Sequence, residues 1–217
     1  MRVEIVSDVV CPWCYIGKRR FERAVTELRA DGVTLDPEVV YRAFQLDPSA
    51  PHDETTPVRD AYAKRFGGAA RADEILQHVS GIARREGIHF NMDLAIRANT
   101  MRAHRLLKIV GKEAPDKQAN VNESVMKAYF CEGSYIDDSA VLAECAARAG
   151  FSPEGLEERL AASDDSREDV ERDLTWATER DITAVPAFVV NDSLVIPGAQ
   201  DVETFKRLLT RMKGSGV

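Results

Sequence analysis

The sequence predicts an α/β fold whose β-α-β opening and β-β-α ending are separated by a large all-α insertion. Three observations carry this. A short apolar run, Val3-Glu4-Ile5-Val6, leads into a long helical pattern and then a second β-rich run. Two further β-rich runs and a helix return only at the end of the chain. Between them, from about Pro57 to about Arg180, nearly every stretch has helical spacing. Neither end is large enough to bury a sheet alone, so both must share one core. The expected boundaries are 1–46, 47–181 and 182–217.

In the first helix, apolar residues recur at Cys14, Phe21, Val25 and Leu28, close to a 3.6-residue period. Pro12 suits the first helical position, where a missing N–H costs nothing, and Asp31-Gly32 ends the pattern. Val39 to Phe44 is rich in β-branched and aromatic residues and reads as the second strand. Leu46 to Pro57 carries Pro48, Pro51 and Pro57, the composition of a crossover. Thr56-Pro57 then offers an N-cap and first-turn pair for a helix stopped by Gly67-Gly68. Ile75, Val79, Ile82 and Ala83 mark the next, ending at Gly87.

Met101, Leu106, Leu107 and Val110 predict a helix ending at Gly111, and Val121, Val125, Met126, Ala128 and Tyr129 another. Ser139 opens one that closes at Gly150, Ser152-Pro153 begins another, and Val170, Leu174 and Trp176 mark the last of the insertion. Ala187 to Val190 and Leu194 to Ile196, joined across Asn191-Asp192, predict a hairpin. Asp201 caps a closing helix with Val202, Phe205, Leu208 and Leu209 on its apolar face.

Composition narrows the function. A 44% hydrophobic and 30% charged chain is that of a globular protein with ample core. A net charge of −7 argues against nucleic acid or an anionic membrane surface as partner. No apolar run approaches the roughly 18 residues of a membrane span. The first residues lack the apolar stretch of a signal peptide, which points to the cytoplasm. Disulfides there are usually transient and catalytic or redox-sensing.

That makes Cys11-Pro12-Trp13-Cys14 the sharpest signal in the chain. On a helix that starts at Pro12, Cys11 becomes the N-cap, with its sulfur expected to face the amides of Trp13 and Cys14. Those amides and the helix dipole favour a thiolate, and Cys14, one turn on, is close enough to close a disulfide. A zinc site would need a second ligand pair. Cys131 and Cys145 lack CxxC or HxxxH spacing, and His52, His78 and His89 show no metal pattern, so no metal is expected. Cys131 and Cys145 read as small buried apolar residues.

Ser7-Asp8-Val9-Val10-Cys11-Pro12-Trp13-Cys14-Tyr15-Ile16-Gly17 resembles the active-site segment of FrnE-like members of the DsbA family, in the thioredoxin superfamily. Asn99 to Leu106, Ala128-Tyr129-Phe130 with Glu132-Gly133, Val185-Pro186 and Gly198-Ala199-Gln200 resemble further family segments, in the family's order. The resemblance implies a thioredoxin fold with an all-α insertion and a thiol–disulfide oxidoreductase or isomerase activity. Cys11 would be the exposed nucleophile and Cys14 the resolving cysteine, supported by Pro12, Trp13 and a cis Val185-Pro186 bond. No permanently bound cofactor is implied.

Glutathione is the expected co-substrate if one is used, and the substrate is a disulfide-containing protein, glutathione itself or a small molecule. A rival within the superfamily is the glutathione-dependent branch, kappa-class transferases and 2-hydroxychromene-2-carboxylate isomerases. Those resemble a Ser-containing site where this chain has Cys11. Gly198-Ala199-Gln200-Asp201 nonetheless resembles the loop that holds the glutathione carboxylate there; the plainer role for Asp201 is an N-cap. Asn99 and His104 are candidates for substrate contacts, against the plainer role of buried, hydrogen-bonded side chains. A homodimer would suit an isomerase. A third class is a chaperone or binding protein in which redox activity is secondary.

Overall fold

The computed structural model describes residues 1–53, 56–162 and 164–214; the last three residues of the 182–217 segment lie outside that range. Four strands form one mixed sheet in the order β2-β1-β3-β4. Strand β1 (Arg2–Ser7) runs parallel to β2 (Glu38–Ala43), with Val3 opposite Val39 and Ser7 opposite Ala43. On its other side β1 pairs antiparallel with β3 (Ala187–Val190), which pairs with β4 (Leu194–Pro197). The hairpin turns through Asn191 and Asp192 at φ 49° and 53°, the left-handed pair that matches strand twist. Because β1 is central, Val3 to Ser7 are all buried. The one charged residue among these five, Glu4, is held by Arg42 Nε at 3.1 Å.

Helix α1 (Pro12–Ala30) serves two cores at once. Its later turns place Phe21, Val25 and Leu28 against the sheet and the closing helix α9 (Val202–Gly214). There Phe21, Phe188 and Phe205 form an aromatic trio with centroids 4.8–5.8 Å apart. Its first turns place Cys11, Cys14, Tyr15 and Ile16 against the inserted helices. These are α2 (Val58–Phe66), α3 (Ala69–Arg85), α4 (Met101–Glu113), α5 (Gln118–Lys127), α6 (Ser139–Arg148), α7 (Leu156–Ala162) and α8 (Arg167–Thr178). The CxxC segment thus lies at the seam between sheet and insertion. This is a thioredoxin fold carrying a helical insertion.

Several local expectations change. Helix α2 begins at Val58, and Pro57 pairs in a β-bridge with Ile96 instead of opening the first turn. Gly111 does not stop α4, which runs to Glu113. It is a close-approach glycine, since a Cβ there would sit 2.5 Å from the Gln118 Nε2 atom. Helix α5 continues from Lys127 into a π-helical turn, Ala128–Glu132, ended by Gly133 at φ 70°. Helix α7 starts at Leu156, three residues past the Ser-Pro pair. In α8 the buried positions are Val170, Asp173 and Ala177, while Leu174 and Trp176 are half-buried. An aspartate on the buried face defeats a purely apolar reading of that helix.

Candidate active site

The strand-to-helix turn at the end of β1 builds the site. The Cys11 N–H donates to the Asp8 carbonyl at 3.0 Å, and the Cys11 carbonyl accepts from Cys14 N–H at 3.0 Å and Tyr15 N–H at 3.3 Å. Cys11 is the N-cap in extended conformation (φ −87°, ψ 114°), with Pro12 at the first helical position, as expected. Its sulfur, however, makes no capping bond. The Cys14 amide is used by the Cys11 carbonyl and Pro12 has none, and the thiol instead donates to the Val185 carbonyl at 3.7 Å.

Both cysteines are free thiols and approach to 3.4 Å. Cys11 is only 4% exposed, against the expectation of an open nucleophile, and Cys14 is 2% exposed. Burial pushes the Cys14 thiol well above its ordinary pKa, and neighbouring Cys11 pushes it further; hydrogen bonds from Ser7 and the Asp8 backbone oppose this. Trp13, between them, is 38% exposed at the rim.

The Val185–Pro186 bond is cis. The Pro186 carbonyl accepts from Gly198 N–H at 2.7 Å, which ties the loop after β4 to the CxxC. Gly17 completes the fit: a Cβ there would lie 3.0 Å from Pro186 Cγ and 3.3 Å from Ala199 Cβ. Only a glycine lets α1 approach the two loops this closely. Cys11, Cys14, Val185, Pro186, Gly198 and Ala199 are therefore brought together, with Arg20 Nη1 donating to the Ala199 carbonyl at 2.9 Å.

The remaining candidate residues have internal partners. Gln200 Nε2 donates to the Pro197 carbonyl at 2.5 Å. Asp201 caps α9, accepting from Thr204 N–H at 2.8 Å and from the Thr204 hydroxyl at 3.1 Å. Asn99 donates to the Ala50 carbonyl at 2.6 Å and accepts from Met101 N–H at 3.0 Å. His104 is 2% exposed and donates from Nε2 to the Phe44 carbonyl (2.8 Å) and to Asp8 Oδ1 (3.3 Å). It sits behind the CxxC turn rather than in an open cleft. Asp8, fully buried, also accepts from Leu46 N–H at 2.7 Å, so the acid ties β1 to the crossover.

A cleft of about 540 Å³ opens beside Val10, walled by Leu46, Val58, Tyr62, Phe66 and Tyr129, with Lys64 and Arg65 at its edge. In that cleft burial, and then the charge that Cys11 can carry, pushes the Tyr62 hydroxyl up to about 12. A larger groove, about 1080 Å³, runs along β2 and α8 past Arg42, Lys108 and Trp176, but neither cysteine lines it. No cysteine lines the smaller cleft either, but its wall includes Val10, the chain neighbour of Cys11.

Three of these features escaped the sequence reading. Gly17 and Asp8 stand within the motif but carry no spacing rule, and Tyr62 enters the wall of the cleft beside Val10 only through the packing of α2. No group of three or more His, Cys, Asp or Glu side chains among the described residues could hold a metal ion. No helix among them is long and apolar enough to cross a membrane.

Comparison with known proteins fits this geometry. The family profile of the DSBA-like thioredoxin domain matches residues 2–210. The protein YwbO of Bacillus subtilis (strain 168) is 28% identical over 97% of this chain and 96% of its own. The crystal structure of a probable DsbA oxidoreductase from Streptomyces coelicolor is 30% identical with a TM-score of 0.90, covering 100% of this chain and 92% of that one. The cytosolic disulfide reductase DsbM from Pseudomonas aeruginosa, solved with GSH, shares the fold at 18% identity and a TM-score of 0.66, over 99% of this chain and 100% of its own.

Proposed function

The chain belongs to the DSBA-like thioredoxin domain family, and from that premise we propose that it is a thiol–disulfide oxidoreductase working through Cys11 and Cys14. The observation that carries the reading is the pair of free thiols at the start of α1, with Cys11 against the Val185 carbonyl and Cys14 sealed behind it. Cys11 attacks a substrate disulfide, its sulfur bonds to one substrate sulfur, and the other leaves as a thiol. Cys14 then attacks Cys11, closing the intramolecular disulfide and releasing the second substrate thiol. Run backwards, the same steps oxidise a dithiol. The raised pKa of the buried Cys14 thiol suits it to this second role, since it stays protonated until the mixed disulfide on Cys11 is beside it.

The cleft beside Val10 supports a small substrate with an apolar body and a negative charge, matched to Tyr62, Phe66, Lys64 and Arg65. Glutathione disulfide or a glutathione mixed disulfide meets that description, with glutathione a co-substrate and not a resident cofactor. The name of DsbM, a cytosolic disulfide reductase, supports placing the exchange in the cytosol. Asp201, Gln200 and Asn99 support the substrate loops through the internal bonds they make.

Replacing Cys11 by Ser tests the assignment. Exchange with glutathione disulfide should fall to background while the unfolding temperature is kept. The Cys14→Ser protein should instead accumulate a glutathione adduct on Cys11, read as intact mass. Retained exchange in the Cys11→Ser protein would transfer the chemistry to Cys131 or Cys145 and end this reading.

A further inference from the structure

A buried tyrosine hydroxyl usually finds a partner. Tyr15 follows the rule, donating to Glu123 Oε1 at 2.6 Å. Tyr129 does not. It is 3% exposed, on the π-helical turn that follows α5, and its hydroxyl has no hydrogen-bond partner among the described residues. Nor is that oxygen sealed, because the sealed and unpartnered side-chain atoms among the described residues belong to Asn122 and Asp137. The Tyr129 hydroxyl therefore opens onto the cleft of about 540 Å³ that its ring lines. Tyr62 of α2 lines the same cleft, and its hydroxyl too has no partner among the described residues.

The surroundings of these two hydroxyls are apolar and cationic. Phe66 stands one turn from Tyr62 with ring centroids 5.2 Å apart, and Phe130 meets Tyr129 edge-on at 4.8 Å. At the edge, Lys64 has no carboxylate partner among the described residues, and Arg65 lies over the Phe66 ring at 5.8 Å. Asp47, the one acid among the described lining residues, is neutralised by Arg97 at 2.8 Å. Burial pushes the Tyr62 hydroxyl up to about 12 and raises that of Tyr129 as well, so both keep their protons near pH 7. Each is then an O–H donor set in an apolar wall. Within a chain of net charge −7, this cleft offers donors and positive charge.

We propose that Tyr62 and Tyr129 are specificity-determining residues of the exchange reaction, their hydroxyls holding the carboxylate of a substrate thiol whose apolar body fills the cleft. The proposal rests on the exchange reading above and narrows its substrate. Three aromatic rings and Leu46 suit an apolar body better than the peptide groups of glutathione, which would lose water there without gaining partners. In a glutathione mixed disulfide the cleft therefore takes the half that is not glutathione. Hydrogen bonds to a carboxylate are the strong kind, and Lys64 and Arg65 at the edge draw the anion in. Val10 joins the cleft to Cys11 in the chain. The Cys11 thiolate bonds to one substrate sulfur, the substrate S–S bond breaks, and its electron pair leaves on the other sulfur. Cys14 then loses its proton to solvent and bonds to Cys11, and the second substrate thiolate leaves. Two cysteines are oxidised to one disulfide, and one substrate disulfide is reduced to two thiols.

Two chromogenic disulfides of similar shape test this. 5,5′-Dithiobis(2-nitrobenzoate) carries a carboxylate on each ring, and 2,2′-dithiodipyridine carries none. The readout is the second-order rate constant of the release phase that Cys11→Ser abolishes, taken as the ratio of the carboxylated to the neutral disulfide. That ratio cancels any change in the thiols themselves, which a merely structural defect would produce. Tyr129→Phe should lower it about tenfold and Tyr62→Phe about threefold, the range expected for losing a hydrogen bond to a charged group or a partly wet one. Lys64→Gln should lower it about twofold at low salt, with the deficit fading as salt screens the charge. Binding is measured separately with 2-nitrobenzoate, which has no sulfur, by calorimetry on the reduced wild-type protein and on Tyr129→Phe. The variant should bind it about tenfold more weakly.

A rate ratio that is the same in the wild-type and Tyr129→Phe proteins overturns the tyrosine site and leaves dithiol exchange standing. Failure of the wild-type protein to bind 2-nitrobenzoate at millimolar concentration overturns it too, whether or not a variant folds. If the wild-type protein binds 2-nitrobenzoate through Tyr129 yet shows no Cys11-dependent release from either disulfide, the site stands and the exchange reading fails.

Discussion

Gly17→Ala puts one methyl group where α1 meets the two loops over the thiols. Its carbon would stand 3.0 Å from Pro186 Cγ and 3.3–3.4 Å from Ala199 Cβ and Cα, none of which is the free end of a flexible side chain. Overpacking of this kind costs about 1–3 kcal/mol, while alanine in a helix interior gains about 1 kcal/mol over glycine. The net destabilisation is therefore about 0–2 kcal/mol. At roughly 2–4 °C per kcal/mol for a chain of this size, the unfolding temperature falls by less than about 8 °C.

Function should suffer more than stability in that variant. Moving Pro186 and Val185 by a few tenths of an ångström displaces the carbonyl that contacts Cys11. If a 1 Å misplacement costs about 10²-fold, exchange should fall by roughly threefold to tenfold. Gly81→Ala in α3 is the control, since nothing lies within 4 Å of a Cβ there. It should gain stability with exchange unaltered. The assays are thermal unfolding and the initial rate with glutathione disulfide. If Gly17→Ala is stabilised as much as Gly81→Ala and exchanges at the wild-type rate, the close-packing argument is wrong.

Two further perturbations test the frame that positions the site. Asp173, with a side chain 2% exposed, accepts from Arg42 at 2.8 Å and from the Ala43 N–H at 2.9 Å and also binds Lys108. Asp173→Ala strands these donors and should cost about 3–5 kcal/mol in denaturant unfolding; a loss below about 1 kcal/mol would show the network to be dispensable. Glu123 accepts from the Tyr15 hydroxyl at 2.6 Å and Lys18 at 2.7 Å and pairs with Arg19. Burial raises its carboxyl, but Lys18, Tyr15 and Arg19 outweigh that and hold it below the usual glutamate value. A depressed folded pKa means stability that is complete above the unfolded value of about 4.3 and is lost as pH falls through the folded one. The wild-type protein should thus exceed Glu123→Gln by about 2 kcal/mol at pH 7, with the gap closing below pH 4.3; a gap that is constant down to pH 2 would contradict this.

The frame was legible because it depends on local rules. Two short apolar runs joined by Asn191-Asp192 mark the β3–β4 hairpin, and Pro12 after Cys11 fixes where α1 starts. The placement of Cys11 and Cys14 at the start of α1 was legible for the same reason. What was not legible depends on contacts between distant segments. Gly111 looks like a helix stop until Gln118 is seen against it, and Asp173 looks exposed until Arg42 and Lys108 surround it. The direction of the Cys11 sulfur could not be read either, since the competitor for the helix amides is its own carbonyl and its acceptor lies 174 positions away. His104 and Asn99 show the limit in the other sense: polar residues in an inserted helix read equally as ligands or as buried hydrogen-bonding groups, and only packing assigns them.

Dithiol exchange depends most directly on the redox state of Cys11 and Cys14. Equilibrating the protein across a series of glutathione buffers, trapping thiols by alkylation and reading peptide masses measures it. A reversible Cys11–Cys14 disulfide that titrates as a two-electron couple, with Cys131 and Cys145 reduced throughout, is the predicted result. A persistent glutathione adduct on Cys11 with Cys14 still free at every poise would contradict dithiol exchange.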